Sequence, residues 1–322
     1  MTHVCGRYRC ARQLEIPLTA PLPSPVGWRV AIMLAAWSSA AIAAPRFPPT
    51  PPPDRLVPYK ATDGGSLSLH VFAPPGPAPE EGSPAIILFF GGGWKGGDPA
   101  QFYPQCRHFA SLGFVAMSAE YRVESRHGTT PRECVEDGKS AIRWVRDHAG
   151  ELNVDPTRIV AGGGSAGGHV AAAAATGTAV DEPGAPATSC RPDALVLFNP
   201  VFNNGPGGYG YSRVAAYWRT VSPMHNIDDR TPPTIVFFGS RDKLVPVDQM
   251  REYERRMKSR GIRCDLHIYE GQKHGFFNHD STDSNNNRFY SQTLKEADAF
   301  LASLGVVHPA DKPNASAVGA GI

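Results

Sequence analysis

The sequence predicts an α/β protein built on a mostly parallel sheet with helices on both faces. Three observations carry that prediction. Strand-like apolar runs alternate with amphipathic helix-like runs from about Tyr59 to Leu304. The run from Pro84 to Phe90, "PAIILFF", is apolar throughout, as a strand covered on both faces must be. Helix-length segments separate most of the strands, which is what parallel neighbours joined by right-handed crossovers require.

The elements follow in order. Ser66 to Pro74 alternates apolar and polar and reads as an early strand. "PAIILFFGGGW" is the buried strand, ending in glycines. Pro99 to Leu112 is helix-like and stops before Gly113, and "FVAMSAEY" is the next strand. Thr130 is an N-cap with Pro131 at the first helical position, and that helix should run to Gly150. Cys134, Ala141, Trp144, Val145 and His148 recur along it at helical spacing. "TRIVAGG" is a strand and Ala166 to Ala175 a helix. "DALVLFNP" and "PTIVFFGS" are strands, Val247 to Ser259 a helix, "IRCDLHIYE" the last strand, and Arg288 to Leu304 a closing helix. No internal repeat is visible.

Composition narrows the class. Hydrophobic residues make up 41% of the chain, enough for a sizeable core. The net charge of +2 comes from interspersed acids and bases, without the clustered basic face of a nucleic-acid binder. Val30 to Ala44 is a short apolar run after Arg29, ending in the A-x-A pattern of Ala41-Ile42-Ala43. It reads as a secretory signal, too short for a stable membrane anchor. The segment before it is odd for a signal, and a start codon assigned too early would explain it. The expected organisation is leader and signal over 1–44, a proline-rich linker over 45–58, one α/β domain over 59–305 and a flexible tail over 306–322. The acceptor pattern at Asn314 falls in that tail. An exported protein is thus expected, secreted or periplasmic. Export permits disulfides, but Cys106, Cys134, Cys190 and Cys264 allow three pairings. No Cys/His spacing suits a structural metal. Oligomeric state is not legible.

In such a sheet, ligands gather beyond the carboxyl ends of the strands, so the reactive residues there matter most. Gly163-Gly164-Ser165-Ala166-Gly167 is a G-x-S-x-G between a strand and a helix. A nucleophile on that turn needs small neighbours, and the helix N-terminus behind it favours developing negative charge. Ser165 could instead be a capping residue. A phosphate-cradling loop would want a P-loop lysine, which is missing. Gly91, Gly92 and Gly93, ahead of Trp94, could turn backbone N–H groups toward an oxyanion, or form a flexible loop. Asp242 follows the strand "TIVFFG" and could orient a histidine or merely make an Asx turn, with Asp248 the runner-up. His274 follows "DLHIYE" and could take and return the serine proton.

The order Ser165, Asp242, His274 is that of one fold. Together with "GGGW", "EYR" at Glu120 to Arg122, "GGSAGGH", "GSRDKLVP" and "HGFFN", it resembles the α/β-hydrolase superfamily over Tyr59 to Leu304. The esterase branch is the nearer likeness, including hormone-sensitive-lipase-like enzymes and bacterial feruloyl and acetylxylan esterase-like proteins. That family often writes His-Gly-Gly-Gly, and here Phe90 stands at the first position. The resemblance implies an eight-stranded sheet with a small cap. It implies Ser165 as nucleophile, His274 as base then acid, Asp242 as its orienting carboxylate, and an oxyanion hole from Ala166 and Gly91, Gly92 or Gly93, with no cofactor. The expected substrates are small-molecule or polysaccharide-linked esters, short acyl or aryl. A prolyl-oligopeptidase-type peptidase, a lipase and a non-catalytic binding protein on the same scaffold remain open. In the loop after "DALVLFNP", Tyr209, Tyr211 and Trp218, with Trp94 from the glycine loop, could line a substrate pocket or pack the cap into the core. Glu120 and Arg122 read as a structural pair beneath the site, and His169 as a packed helix residue.

Overall fold

The computed structural model describes residues 51–280 and 284–307. The expected leader and signal, residues 45–50, residues 308–322 and Asn314 lie outside the described residues.

Eight strands form one sheet: β1 (Arg55–Thr62), β2 (Gly65–Phe72), β3 (Ser83–Phe89), β4 (Val115–Ala119), β5 (Val154–Gly164), β6 (Ala194–Phe198), β7 (Thr234–Gly239) and β8 (Cys264–Tyr269). Their order is β1-β2-β4-β3-β5-β6-β7-β8. Strand β2 runs antiparallel to both neighbours, and the pairs from β4 to β8 are parallel. The helices are α1 (Tyr103–Ser111), α2 (Glu124–His127), α3 (Pro131–Asp147), α4 (Ala149–Leu152), α5 (Ala166–Ala175), α6 (Tyr211–Val214), α7 (Trp218–Val221), α8 (Val247–Lys258) and α9 (Ser284–Ser303).

The strand order places the site. The chain leaves β3 toward β4 in one direction, then returns past β3 to β5 and continues to β8. With right-handed crossovers, α1 must cover one face and α3, α5 and α8 the other. Helix α9 joins α1, where His108 Nε2 meets Asp298 Oδ1 at 2.9 Å. The reversal leaves the carboxyl ends of β3 and β5 side by side, the place where open sheets of this kind collect their ligands. Every residue of β3 is buried, as its unbroken apolar sequence requires.

Several boundaries depart from the sequence reading; α9, for one, begins at Ser284 and β5 at Val154, ahead of the expected Arg288 and Thr157. The expected linker ends early, because Arg55–Pro58 already belongs to β1. This edge strand is largely exposed and contains Pro58, so it lacks the apolar pattern of its neighbours. The ladder shifts register between Pro58 and Lys60, and an edge tolerates the missing N–H. The far end runs past residue 305, since Val306 is buried and its carbonyl accepts from Arg158 Nη1 at 3.3 Å. Helix α3 stops at Asp147, short of Gly150. The His148 ring stacks on Trp144 at 4.0 Å and the chain restarts as α4. The start of α3 is as expected: Thr130 and Glu133 form a reciprocal capping box with Pro131 behind them. Cys106, Cys134, Cys190 and Cys264 are all free thiols, so none of the three pairings forms.

Glycines in this fold divide by what a methyl group would meet. A Cβ on Gly167 would lie 2.0 Å from the Phe89 carbonyl oxygen, whereas one on Gly150 meets nothing within 4 Å. Gly167→Ala should therefore cost about 2 kcal/mol or more through forced backbone displacement. Gly150→Ala, on the exposed turn of α4, should stabilise by roughly 0.5 kcal/mol by restricting the unfolded chain. Urea unfolding of both variants checks the pair. Similar effects of the two would contradict the close approach of α5 to β3.

Candidate active site

Ser165 is the single residue between β5 and α5, with φ 54° and ψ −117°. That conformation costs a side-chain-bearing residue on the order of 1–3 kcal/mol and persists only where neighbours impose it. Here they do. The Ser165 N–H donates to the Phe198 carbonyl at 2.9 Å, and its own carbonyl accepts from His169 N–H at 3.0 Å. Gly163, at φ 153°, and Gly167 lie so close to the end of β3 that a Cβ on either would fall within 2.3 Å of the Phe89 oxygen. The hydroxyl is thereby lifted beyond the sheet edge.

The other two polar residues come to it from later strand ends. His274 Nε2 lies 2.8 Å from Ser165 Oγ, and His274 Nδ1 lies 2.6 Å from Asp242 Oδ2. The carboxylate can only accept, so Nδ1 carries the proton and Nε2 is free to accept from the serine hydroxyl. The Asp242 side chain is fully buried. Burial opposes its charge, but hydrogen bonds from His274, Asn199 and the Leu244 N–H outweigh it and hold the carboxyl below its usual range. Asp242 is also an Asx turn. Its Oδ1 accepts from Leu244 N–H at 2.7 Å and Val245 N–H at 3.1 Å, leaving Oδ2 for the imidazole. The two sequence readings of Asp242 are compatible, one for each oxygen. Asp248, the runner-up, is in the first turn of α8 and pairs with Arg251.

Asn199 was not among the sequence candidates. It follows β6 with φ 42°, and its Nδ2 donates to Asp242 Oδ2 at 2.6 Å. A polar residue directly after a buried strand was the available signal, but it has no motif.

The glycine loop corrects one expectation. The Gly91 N–H is not available to an oxyanion, because it donates to Gln101 Oε1 at 2.7 Å. The N–H groups of Gly92 and Gly93 make no hydrogen bond among the described residues. Ala166 opens α5, so its N–H has no partner within the helix. Gly91 abuts the serine, with its Cβ position 3.3 Å from Ser165 Cβ. Phe90 replaces a polar brace with an aromatic one. Its buried ring stacks on Tyr121 at 4.2 Å, and the Tyr121 hydroxyl donates to the Phe90 carbonyl at 2.6 Å. From the cap, Arg213 Nη1 donates to the Gly93 carbonyl at 2.6 Å.

The aromatic candidates separate. Trp94 is 1% exposed and cannot line a pocket; its Nε1 donates to His169 Nδ1 at 3.1 Å. Trp218 belongs to a small second core with Val135, Ala173, Val214 and Val221, and its ring lies over Gly205. For both, the sequence left pocket lining and cap packing open, and both make packing contacts with the cap. Tyr209 is half-buried against Trp94, with its hydroxyl 3.1 Å from the Cβ position of Gly93. Tyr211 opens α6 and is half-buried. Glu120 and Arg122 do not pair with each other. Arg122 grips buried Asp137 through Nε and Nη2 at 2.8 and 2.7 Å, while Glu120 accepts from Ser68 N–H and faces His70.

His169 is fully buried. Its Nδ1 accepts from Trp94 and its Nε2 donates to the Val221 carbonyl at 2.9 Å. Both ring nitrogens are committed to the neutral form, and burial lowers its pKa from 6.5 to about 4. The unfolded chain takes up a proton that the folded chain refuses over this range. Stability contributed by neutral His169 is therefore full above about pH 6.5 and is lost as pH falls toward about 4. His169→Gln, which can still accept from Trp94 and donate to Val221, should flatten that pH dependence in thermal unfolding. An unchanged slope would place the titration elsewhere.

Two family models match the chain: BD-FAE over residues 69–191 and the dienelactone hydrolase family over 206–304. Esterase Est2 of the planctomycete Thermogutta terrifontis, solved with propionate bound, is 42% identical. The match covers 81% of this chain and 98% of that one with a TM-score of 0.75. The same enzyme phosphorylated by paraoxon is 44% identical, covers 82% and 99%, and has a TM-score of 0.75. The probable carboxylic ester hydrolase LipM of Mycobacterium tuberculosis is 32% identical over 53% of this chain and 44% of its own. An acetylxylan esterase of Xylanibacter ruminicola is 26% identical over 67% and 45%. The chain spans about half the length of the curated relatives it matches. The eight-stranded sheet, its strand order and the likeness over nearly all of the Thermogutta esterase agree: this chain belongs to the esterase branch of the α/β-hydrolase superfamily.

Proposed function

We propose that the protein is an exported serine carboxylesterase acting on short-chain acyl or aryl esters, with acetyl or feruloyl groups on plant polysaccharide as its natural substrate class. The observation that carries this reading is the continuous hydrogen-bonded line from Ser165 Oγ through His274 to buried Asp242. Ser165 attacks the ester carbonyl as its proton passes to His274 Nε2. Asp242, held ionised by its neighbours, stabilises the imidazolium and keeps it oriented. Negative charge on the former carbonyl oxygen accepts hydrogen bonds from the N–H groups of Ala166 and Gly92, with Gly93 beside them. Collapse expels the alcohol, which takes the proton from His274. Water, activated by the same imidazole, then hydrolyses the acyl-enzyme and regenerates Ser165.

The short-acyl part is supported by the propionate-bound Thermogutta esterase and by the half-buried Tyr209 over the glycine loop, which limits room beside Gly93. The polysaccharide part is supported by the acetylxylan esterase relative, and export by the signal-like run Val30 to Ala44.

Ser165→Ala should fold normally and lower hydrolysis of p-nitrophenyl acetate by about four orders of magnitude or more. Paraoxon should label the parent protein at one site and leave this variant unlabelled. Asp242→Asn should keep the fold and lower kcat by roughly three to four orders, because the imidazole loses its orienting acceptor. A series of p-nitrophenyl esters of rising chain length, run beside acetylated xylan and methyl ferulate, tests the substrate class. Near-normal turnover by Ser165→Ala sinks the mechanism. Cleavage of peptides in preference to every ester turns the assignment toward a peptidase.

A further inference from the structure

Gln101 sits in the 3-10 turn Pro99–Phe102, whose start is capped by the Asp98 side chain. It belongs to neither catalytic loop, yet its side chain joins them. Oε1 accepts the Gly91 N–H at 2.7 Å, and Nε2 donates to Asn278 Oδ1 at 2.9 Å. Asn278 Nδ2 in turn donates at 2.9 Å to the carbonyl of Gly275, the residue after His274. The ends of this relay dictate its polarity. A backbone N–H can only donate and a backbone carbonyl can only accept, so each side-chain amide has one admissible orientation.

We propose that Gln101 is a positioning residue for both the oxyanion loop and the base, resting on the esterase reading above. It has two effects. By taking the Gly91 N–H it withdraws one of three adjacent donors, leaving those of Gly92 and Gly93 as the loop's unbonded pair. By reaching Asn278 it sets the distance between that loop and the turn carrying His274. Gly91 is wedged between Gln101 and Ser165, with its Cβ position 3.5 Å from Gln101 Oε1 and 3.3 Å from Ser165 Cβ. A shift of the glutamine is therefore passed directly to the serine's neighbour. The peptide between Phe90 and Gly91 is held at both ends: its carbonyl accepts from the Tyr121 hydroxyl at 2.6 Å and its N–H donates to Gln101 at 2.7 Å, so Gln101 completes the orientation that Tyr121 begins.

Glutamate is the discriminating substitution. Gln101→Glu keeps the shape and the acceptor for Gly91, but it presents a second acceptor to Asn278 Oδ1. Turning Asn278 over to relieve that contact would set its oxygen against the Gly275 carbonyl. A role limited to filling space predicts near-parental kinetics. The positioning role predicts that kcat falls about tenfold or more in Gln101→Glu and further in Gln101→Ala, with KM within about twofold. Comparison of a p-nitrophenyl ester with its thionoester isolates the hole, because the larger sulfur is a poorer hydrogen-bond acceptor. The preference for the oxygen ester should shrink several-fold in both variants. In a double-mutant cycle, Gln101→Ala and Asn278→Ala together should cost little more than Gln101→Ala alone. Should Gln101→Ala fail to fold, Gln101→Glu and Asn278→Ala decide. If the parent hydrolyses esters and Ser165→Ala does not, then parental kcat and thionoester preference in Gln101→Glu, or additive losses in the cycle, overturn the positioning role alone. Absence of hydrolysis by the parent overturns the esterase reading itself.

Discussion

The site depends on a close approach of backbone to backbone: Gly163 and Gly167 lie against the Phe89 carbonyl at the end of β3. No side chain fits in that space, so the turn between β5 and α5 can be tight enough to present one residue alone. Ser165 then has little choice of conformation. Its backbone is held from both sides, by the Phe198 carbonyl and by the first turn of α5, in a region that serine would not enter freely. The strain is offset by the packing of β3, β5 and α5, which buries nearly every residue they contain. The same contact sets the glycine loop, a continuation of β3, beside the serine hydroxyl.

Around this fixed point, the mobile chemistry is restrained by committed polar groups. Asp242 has each oxygen assigned: one closes its own turn, the other faces His274 and Asn199. His169 lies outside the line from Ser165 to Asp242 and links the glycine loop, through Trp94, to the cap at Val221. Because both its nitrogens are used in the neutral form, this link is a directional brace, and a proton on Nδ1 would break it. Arg213 adds a second connection by holding the Gly93 carbonyl while its guanidinium lies over the Trp94 ring at 4.9 Å. Movement of the cap is thus mechanically tied to the glycine loop that follows β3.

The strands and helices were readable where local pattern and tertiary environment agree. Strand β3 is buried on both faces and apolar throughout, and α3 begins with a full capping box, so both announce themselves. Strand β1 does not, because an exposed edge strand has no reason to carry apolar alternation and can even include Pro58. Ser165, Asp242 and His274 were legible because each follows a recognisable strand end and their order along the chain is restrictive. Asn199, Gln101 and Asn278 were not. Single amides in loops carry no spacing signal, and their roles exist only when loops distant in sequence meet.

The amino-acid sequence by itself determined the alternating α/β architecture, the glycine-flanked serine turn and the three residues that would carry acyl transfer. The architecture and the turn follow from short-range causes, periodicity, caps and steric demands; the three residues stand out by their order along the chain and the resemblance that order carries. Tertiary structure decided which backbone N–H groups are free. Gly91, Gly92 and Gly93 are indistinguishable in sequence, and only the arrival of Gln101 from a separate turn gives the N–H of the first a partner. It likewise decided that Trp94 is buried and that Trp218 packs against the second core, and that Arg122 turns to Asp137 and not to Glu120. Hydrogen-bond acceptors and apolar contacts saturate with whichever partner packing brings within reach, and that choice is made in three dimensions.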